Sequence, residues 1–106
     1  MGFNQRDLMR QVEQMQTRMA KAQEEIALAT VEGSAGGGVV TVTMTGDQDI
    51  RSVTIKPEAV DPDDVETLQD LVLAAVGDAL QRSKDLQSER LADVTGGMGL
   101  PPGLGF

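Results

Sequence analysis

A chain of 106 residues with a formal net charge of -8, no cysteine and no histidine has room for one domain with a thin core. Without cysteine there is no disulfide and no thiolate chemistry, and without histidine the commonest general base and metal ligand are missing. No stretch nears the roughly 20 apolar residues of a membrane span, and the first residues lack the apolar region of a signal peptide, so the chain reads as cytoplasmic.

The two aromatic residues, Phe3 and Phe106, stand at the ends of the sequence, so the interior has to be aliphatic. From Gln5 to Leu28 there is neither Gly nor Pro, and Leu8, Val12, Met15, Met19, Ala22 and Ile26 recur at spacings of four and three. That is a heptad seam on a helix roughly 35 Å long, and so narrow a seam calls for a partner helix. The β-branched runs that follow, broken by Gly36-Gly37-Gly38 and by Gly46-Asp47-Gln48-Asp49, predict a three-stranded antiparallel meander. In its last strand, Ile50 to Lys56, strict alternation puts Ile50, Ser52 and Thr54 on one face and Arg51, Val53 and Ile55 on the other.

Pro57 ends that strand, and Asp61-Pro62-Asp63-Asp64 predicts the start of a second helix, with an acidic N-cap and Pro at the first helical position. This helix should run roughly 30 residues and stop before Gly96-Gly97. Its first half is apolar around more than one face, which asks for a contact beyond its own sheet. The order α-β-β-β-α makes one α+β domain, residues 1–95, followed by a Gly/Pro-rich tail, residues 96–106. Exposed strand edges and an unpaired seam are both removed by a two-fold dimer that shares the sheet and pairs the helices. The core and dimer contact are expected to use Met15, Met19, Val40, Val42, Leu68, Val72 and Val76.

No catalytic template emerges. Ser34, Ser52, Ser83 and Ser88 lack an activating partner, so the expectation is a protein that is not an enzyme, with no cofactor and no metal site. The carboxylates of residues 61–66 suit a helix cap better than a calcium loop, because Val65 occupies the fifth position and the turn glycine is missing. The glycine run 36–38 precedes a strand and has no lysine to complete a phosphate cradle, so it reads as a hairpin connection.

Charge is unevenly spread. Between Pro57 and Leu80 there are seven carboxylates and no cation, whereas Arg6, Arg10, Arg18 and Lys21 lie on the first helix and Arg82, Lys84 and Arg90 in the last third of the second. Antiparallel helices would bring Arg6 and Arg10 near Arg82, Lys84 and Arg90 at the end remote from the sheet, a cluster suited to phosphates rather than to base edges. The same segments carry Asp7, Glu13, Asp85, Glu89 and Asp93, so solvated helix faces are the competing reading.

The segment Val31-Glu32-Gly33-Ser34-Ala35-Gly36-Gly37-Gly38-Val39-Val40, the Lys56-Pro57 strand end, the run Val60 to Leu71, Ala74-Ala75-Val76 and the Gly97-Met98-Gly99-Leu100-Pro101-Pro102-Gly103 ending together resemble the YbaB/EbfC family of bacterial nucleoid-associated proteins. The resemblance covers nearly the whole chain. It implies a tweezer-like homodimer with a shared sheet, binding to duplex DNA with little sequence preference, and a part in nucleoid organisation and gene expression. Assigning Arg6, Arg10, Arg18, Lys21, Arg82, Lys84 and Arg90 to DNA rests on their placement. The alternative is a dimeric protein-interaction adaptor that makes no direct DNA contact.

Overall fold

The run without Gly or Pro after Asn4 folds as one helix, α1 (Gln5–Leu28), in the computed structural model, which describes residues 4–96. The Asn4 side chain accepts the Asp7 N–H at 2.9 Å and so satisfies one of the orphan donors of the first turn. Three strands follow, β1 (Thr30–Ala35), β2 (Val40–Thr45) and β3 (Ile50–Ile55), then a single 3-10 turn at Pro57–Ala59 and a long helix, α2 (Val65–Gly96). The Gly/Pro-rich tail from Gly97 onward and both phenylalanines lie outside the described residues.

The sheet is an antiparallel meander in the order β1-β2-β3. Gly36, Gly37 and Gly38, all at positive φ (63°, 72° and 95°), turn β1 into β2 in a conformation that side-chain-bearing residues rarely adopt. One sheet face is apolar: Val40, Val42 and Met44 are buried there against Ala75 and Ala79 of α2, with Leu68, Leu71, Val72 and Val76 packed around them. The other face carries Glu32, Ser34, Thr41, Thr43, Ser52 and Thr54, as the ladder pairing requires. Val40 and Val42 are buried in this cluster, and Leu68, Val72 and Val76 are partly buried against it.

Strict alternation fails in β3. A bulge between Thr43 and Met44 pairs Met44 with Ile50 and leaves Arg51 as the extra residue, so Ile50 joins Val53 and Ile55 on the apolar face. α2 packs across β1 and β2, and these three side chains stay 48%, 47% and 38% exposed. Leu73 of α2 is 72% exposed, so part of the apolar surplus noted in its first half remains at the surface.

The start of α2 also differs from the expected one. Asp61 accepts the Asp63 N–H at 2.9 Å, and its carbonyl accepts the Asp64 N–H, so Pro62 and Asp63 form a turn ahead of the helix. Asp64 is the cap: its carboxylate accepts the Thr67 hydroxyl at 2.6 Å and the Thr67 N–H at 3.2 Å. Those two bonds, the hydroxyl first, hold its carboxyl below the usual carboxylate range.

Ser83 ties α2 to the end of β2, its buried hydroxyl donating to the Thr45 carbonyl at 2.8 Å. The Gln48 N–H donates to the same oxygen at 3.0 Å, so removing the hydroxyl would not orphan the carbonyl. Ser83→Ala should therefore cost about 1 kcal/mol, read as a lower denaturation midpoint at unchanged m-value.

Beyond Ser83, α2 leaves the sheet and runs beside the last turns of α1. Leu86 reaches Ile26 through the Gly46 corner, and Arg90 pairs with Glu25 at 3.5 Å. The seam of α1 is thus covered in steps: Ala22 and Ile26 are buried, Met15 and Met19 half-buried, Leu8 and Val12 55% and 49% exposed. The two helices make an arm that stretches the molecule to 76 × 24 × 16 Å, with a radius of gyration of 20.2 Å against about 13 Å for a compact domain of this length.

Candidate nucleic-acid interface

α1 carries two chemistries on opposite sides. At 3.6 residues per turn, Arg6, Arg10, Gln14, Arg18 and Lys21 stack along one face, while Leu8, Val12, Met15 and Met19 stack on the far side. All five polar side chains are exposed. Arg10, Gln14 and Arg18 line one shallow groove with Glu13 and Thr17. Arg18 and Lys21 line the next, together with Ala22, Glu25 and, from α2, Arg90, Asp93 and Val94. Arg18 is common to both grooves, so the cations form one stripe roughly 22 Å long from Arg6 to Lys21. Gln14, at the centre of the stripe, is not among the residues expected from the sequence, although its four-residue spacing from Arg10 and Arg18 was the available signal.

Charge balance favours this stretch. Residues 4–21 hold four cations against two carboxylates, Asp7 and Glu13, in a chain whose net charge is -8. The acidic run Asp61 to Glu66 lies at the other end of α2, roughly 36 Å along the helix from Arg90. That is more than three screening lengths at about 0.1 M salt, so the distant carboxylates weigh little on a phosphate held at the stripe. Among the described residues, Arg6, Arg10, Lys21 and Lys84 enter no ion pair.

The seven candidate cations do not form one cluster at the tip. Arg90 joins Arg18 and Lys21, but Arg6 and Arg10 lie beyond the described end of α2. Arg82 sits beside the sheet, where it shares a groove with Val31, Glu32, Asp85, Leu86 and Glu89. Its guanidinium pairs with Asp78 at 3.3 Å, and Asp78 also accepts the Ser34 N–H at 3.0 Å. The Ser34 N–H, with the Arg82 guanidinium after it, holds the Asp78 carboxyl below its ordinary range. Arg82 thus braces α2 on β1 among carboxylates, a poor setting for phosphate. Lys84, one residue from the buried Ser83, is likewise level with the sheet. The expected cluster breaks up because α2 spends its first five turns crossing the sheet, so only its last third lies beside α1.

The helix–meander–helix order has a counterpart among solved structures. The crystal structure of an uncharacterized protein from Helicobacter pylori aligns with a TM-score of 0.65 at 18% identity, covering 92% of this chain and 98% of that one. No described helix is long and apolar enough to cross a membrane. Sequence relatives are much nearer. A nucleoid-associated protein of Chloroflexus aurantiacus is 54% identical over 96 residues, covering 91% of this chain and 96% of its own. One from Acetivibrio thermocellus is 52% identical over 103 residues, 97% and 91% of the two chains. One from Saccharopolyspora erythraea is 49% identical over 102 residues, 96% and 88%. With the model of the YbaB/EbfC DNA-binding family matching residues 1–98, the chain belongs to that family.

Proposed function

We propose that this chain is a nucleoid-associated protein of the bacterial cytoplasm that binds duplex DNA through the cationic stripe of α1. The observation that carries this reading is the charge excess at residues 4–21, exposed on a projecting arm of an otherwise acidic molecule. Guanidinium and ammonium groups on a convex helix face meet phosphates without reaching base edges, so binding is weakly selective for sequence and the protein acts on nucleoid organisation and gene expression. No step of catalysis is involved.

The working unit is a homodimer. β3 is an edge strand with unpaired backbone groups, and it carries an uncovered apolar row, Ile50, Val53 and Ile55. Pairing two such edges about a two-fold axis would extend the sheet, cover that row and direct two arms away from a common base. Because Val53 is 47% exposed in the protomer, Val53→Asp should leave the fold intact and halve the mass seen by light scattering. An unchanged mass would place the dimer contact elsewhere.

A titration against labelled duplex at increasing salt tests DNA contact directly. With roughly four to six phosphates neutralised per dimer, log affinity should fall against log salt with a slope of about -4 to -5, and unrelated sequences should bind alike. No binding at low salt would favour the adaptor reading.

A further inference from the structure

One turn beyond Lys21, roughly 6 Å along α1, the face that carries Arg6, Arg10, Gln14, Arg18 and Lys21 presents Glu25. Its carboxylate holds the guanidinium of Arg90, from α2, at 3.5 Å. Arg18, Lys21, Glu25, Arg90 and Asp93 line a single shallow groove with Ala22 and Val94. Three cations therefore meet there, two from α1 and one from α2, and the one from α2 is engaged by a carboxylate of α1.

That pair is not needed to hold the arm. Its two side chains are 43% and 46% exposed, and an ion pair so open to water contributes little to stability. On α1, Ala22 and Ile26 are buried without it. What the pair does is occupy Arg90. A guanidinium presents its fork of N–H donors to a carboxylate or to a phosphate, and one edge cannot serve both at once. Arg82 and Lys84 stand level with the sheet, so Arg90 is the cation that α2 brings to the stripe.

We propose that Glu25 limits the affinity of the α1 stripe for duplex DNA, because it holds the Arg90 edge that a backbone phosphate would otherwise take. The inference rests on the DNA reading of α1 and adds to it a residue that tunes the site from within. When a phosphate reaches Arg90 it displaces Glu25, so one ion pair is exchanged for another and Arg90 adds little to the attraction. With Glu25 neutral, the same guanidinium extends the cationic surface across to the second helix.

Glu25→Gln in the full-length chain tests this by titration against a labelled duplex at several salt concentrations. Glutamine keeps the length and helix propensity of the side chain but not its charge. Affinity at low salt should rise roughly tenfold or more, and the slope of log affinity on log salt should steepen by about one unit for each arm. Asp93→Asn removes a carboxylate of the same groove that is not the partner of Arg90. It should raise affinity less and leave the slope at its parent value. In Glu25→Gln combined with Arg90→Gln the slope should return to that of the parent. A parent chain that binds DNA, with affinity and slope unaltered by Glu25→Gln, would overturn the inference and leave the DNA reading standing. Equal gains from Glu25→Gln and Asp93→Asn at unchanged slope would also overturn it, since only general repulsion would then have been relieved. Absence of binding by every variant at low salt would remove both readings. Thermal unfolding followed by circular dichroism should place Glu25→Gln within a few degrees of the parent. A large loss of helix would make the pair a structural clasp and equally overturn the proposal.

Discussion

Gly33→Ala is expected to abolish or nearly abolish folding at ordinary temperature, by the largest margin of any single methyl added to the described glycines. A Cβ built at Gly33 would sit 2.5 Å from the Ala75 carbonyl oxygen and 2.7 Å from the Ala79 Cα, and against the Ala79 backbone nitrogen. All three are backbone atoms of α2, so no rotamer change relieves the clash. Either the helix lifts off β1 or the strand bends away, and each movement opens the layer in which Val40, Val42, Ala75 and Ala79 are buried. Overpacking commonly costs about 1–3 kcal/mol where side chains absorb it. With only backbone to move, about 3 kcal/mol or more is the reasonable figure, a large share of the stability of a small domain. Gly77→Ala is the control: nothing stands within 4 Å of its added Cβ, so the exchange inside a helix should raise stability by up to about 1 kcal/mol. Chemical denaturation followed by circular dichroism reads both. If Gly33→Ala proved as stable as the parent chain, α2 would not be seated on β1 as described.

The seating of α2 on Gly33 also explains which parts of the fold could be read from the amino-acid order. The bounds of α1, the three strands and the glycine hairpin are local matters, decided by the Asn4 cap, the β-branched runs and the positive φ of Gly36 to Gly38. The apolar core was legible for the same reason, since period-two burial on β2 and helical spacing on α2 both point to it. The height at which α2 passes α1 has no local signature. It is set by Ala79 resting on Gly33, by Ser83 bonded to Thr45 and by Arg90 paired with Glu25, residues that stand 38 to 65 positions apart. Counting from helix ends instead put Arg82 and Lys84 at the tip, one segment too far out. The bulge at Ile50 is a property of the ladder with β2, and no alternation within residues 50–56 reveals it. The Asp64 cap was missed more avoidably: Asp-Pro-Asp-Asp permits either a cap at Asp61 or a turn followed by a cap at Asp64, and the Thr67 hydroxyl three residues on was the deciding feature.

Arg10→Glu combined with Lys21→Glu should lower affinity for duplex DNA by about 100-fold or more, while Arg82→Glu leaves it nearly unchanged. The first pair lies on the exposed stripe of α1 and enters no ion pair among the described residues, so neither residue is needed to hold the arm together. A hydrogen bond to a charged group is worth about 1.5 kcal/mol or more, close to tenfold in affinity each, and removing two per protomer gives the stated factor before repulsion from the new carboxylates is added. The salt slope should flatten as well, by about one unit for each phosphate that is no longer neutralised. Arg82, by contrast, is engaged by Asp78 and shares its groove with Glu32, Asp85 and Glu89. Its reversal sets a fifth carboxylate among four and should appear as reduced stability, not as weaker binding. A titration in which Arg82→Glu removes DNA binding from a folded protein, and the α1 pair does not, would move the interface from the arm to the base of the molecule. Because Arg82 stands among Glu32, Asp78, Asp85 and Glu89, whereas the acidic run at residues 61–66 lies more than three screening lengths from the stripe on α1, the two outcomes also differ in salt response. Binding at the arm would be strongest at low salt, whereas binding at the base would have to overcome a repulsion that salt relieves.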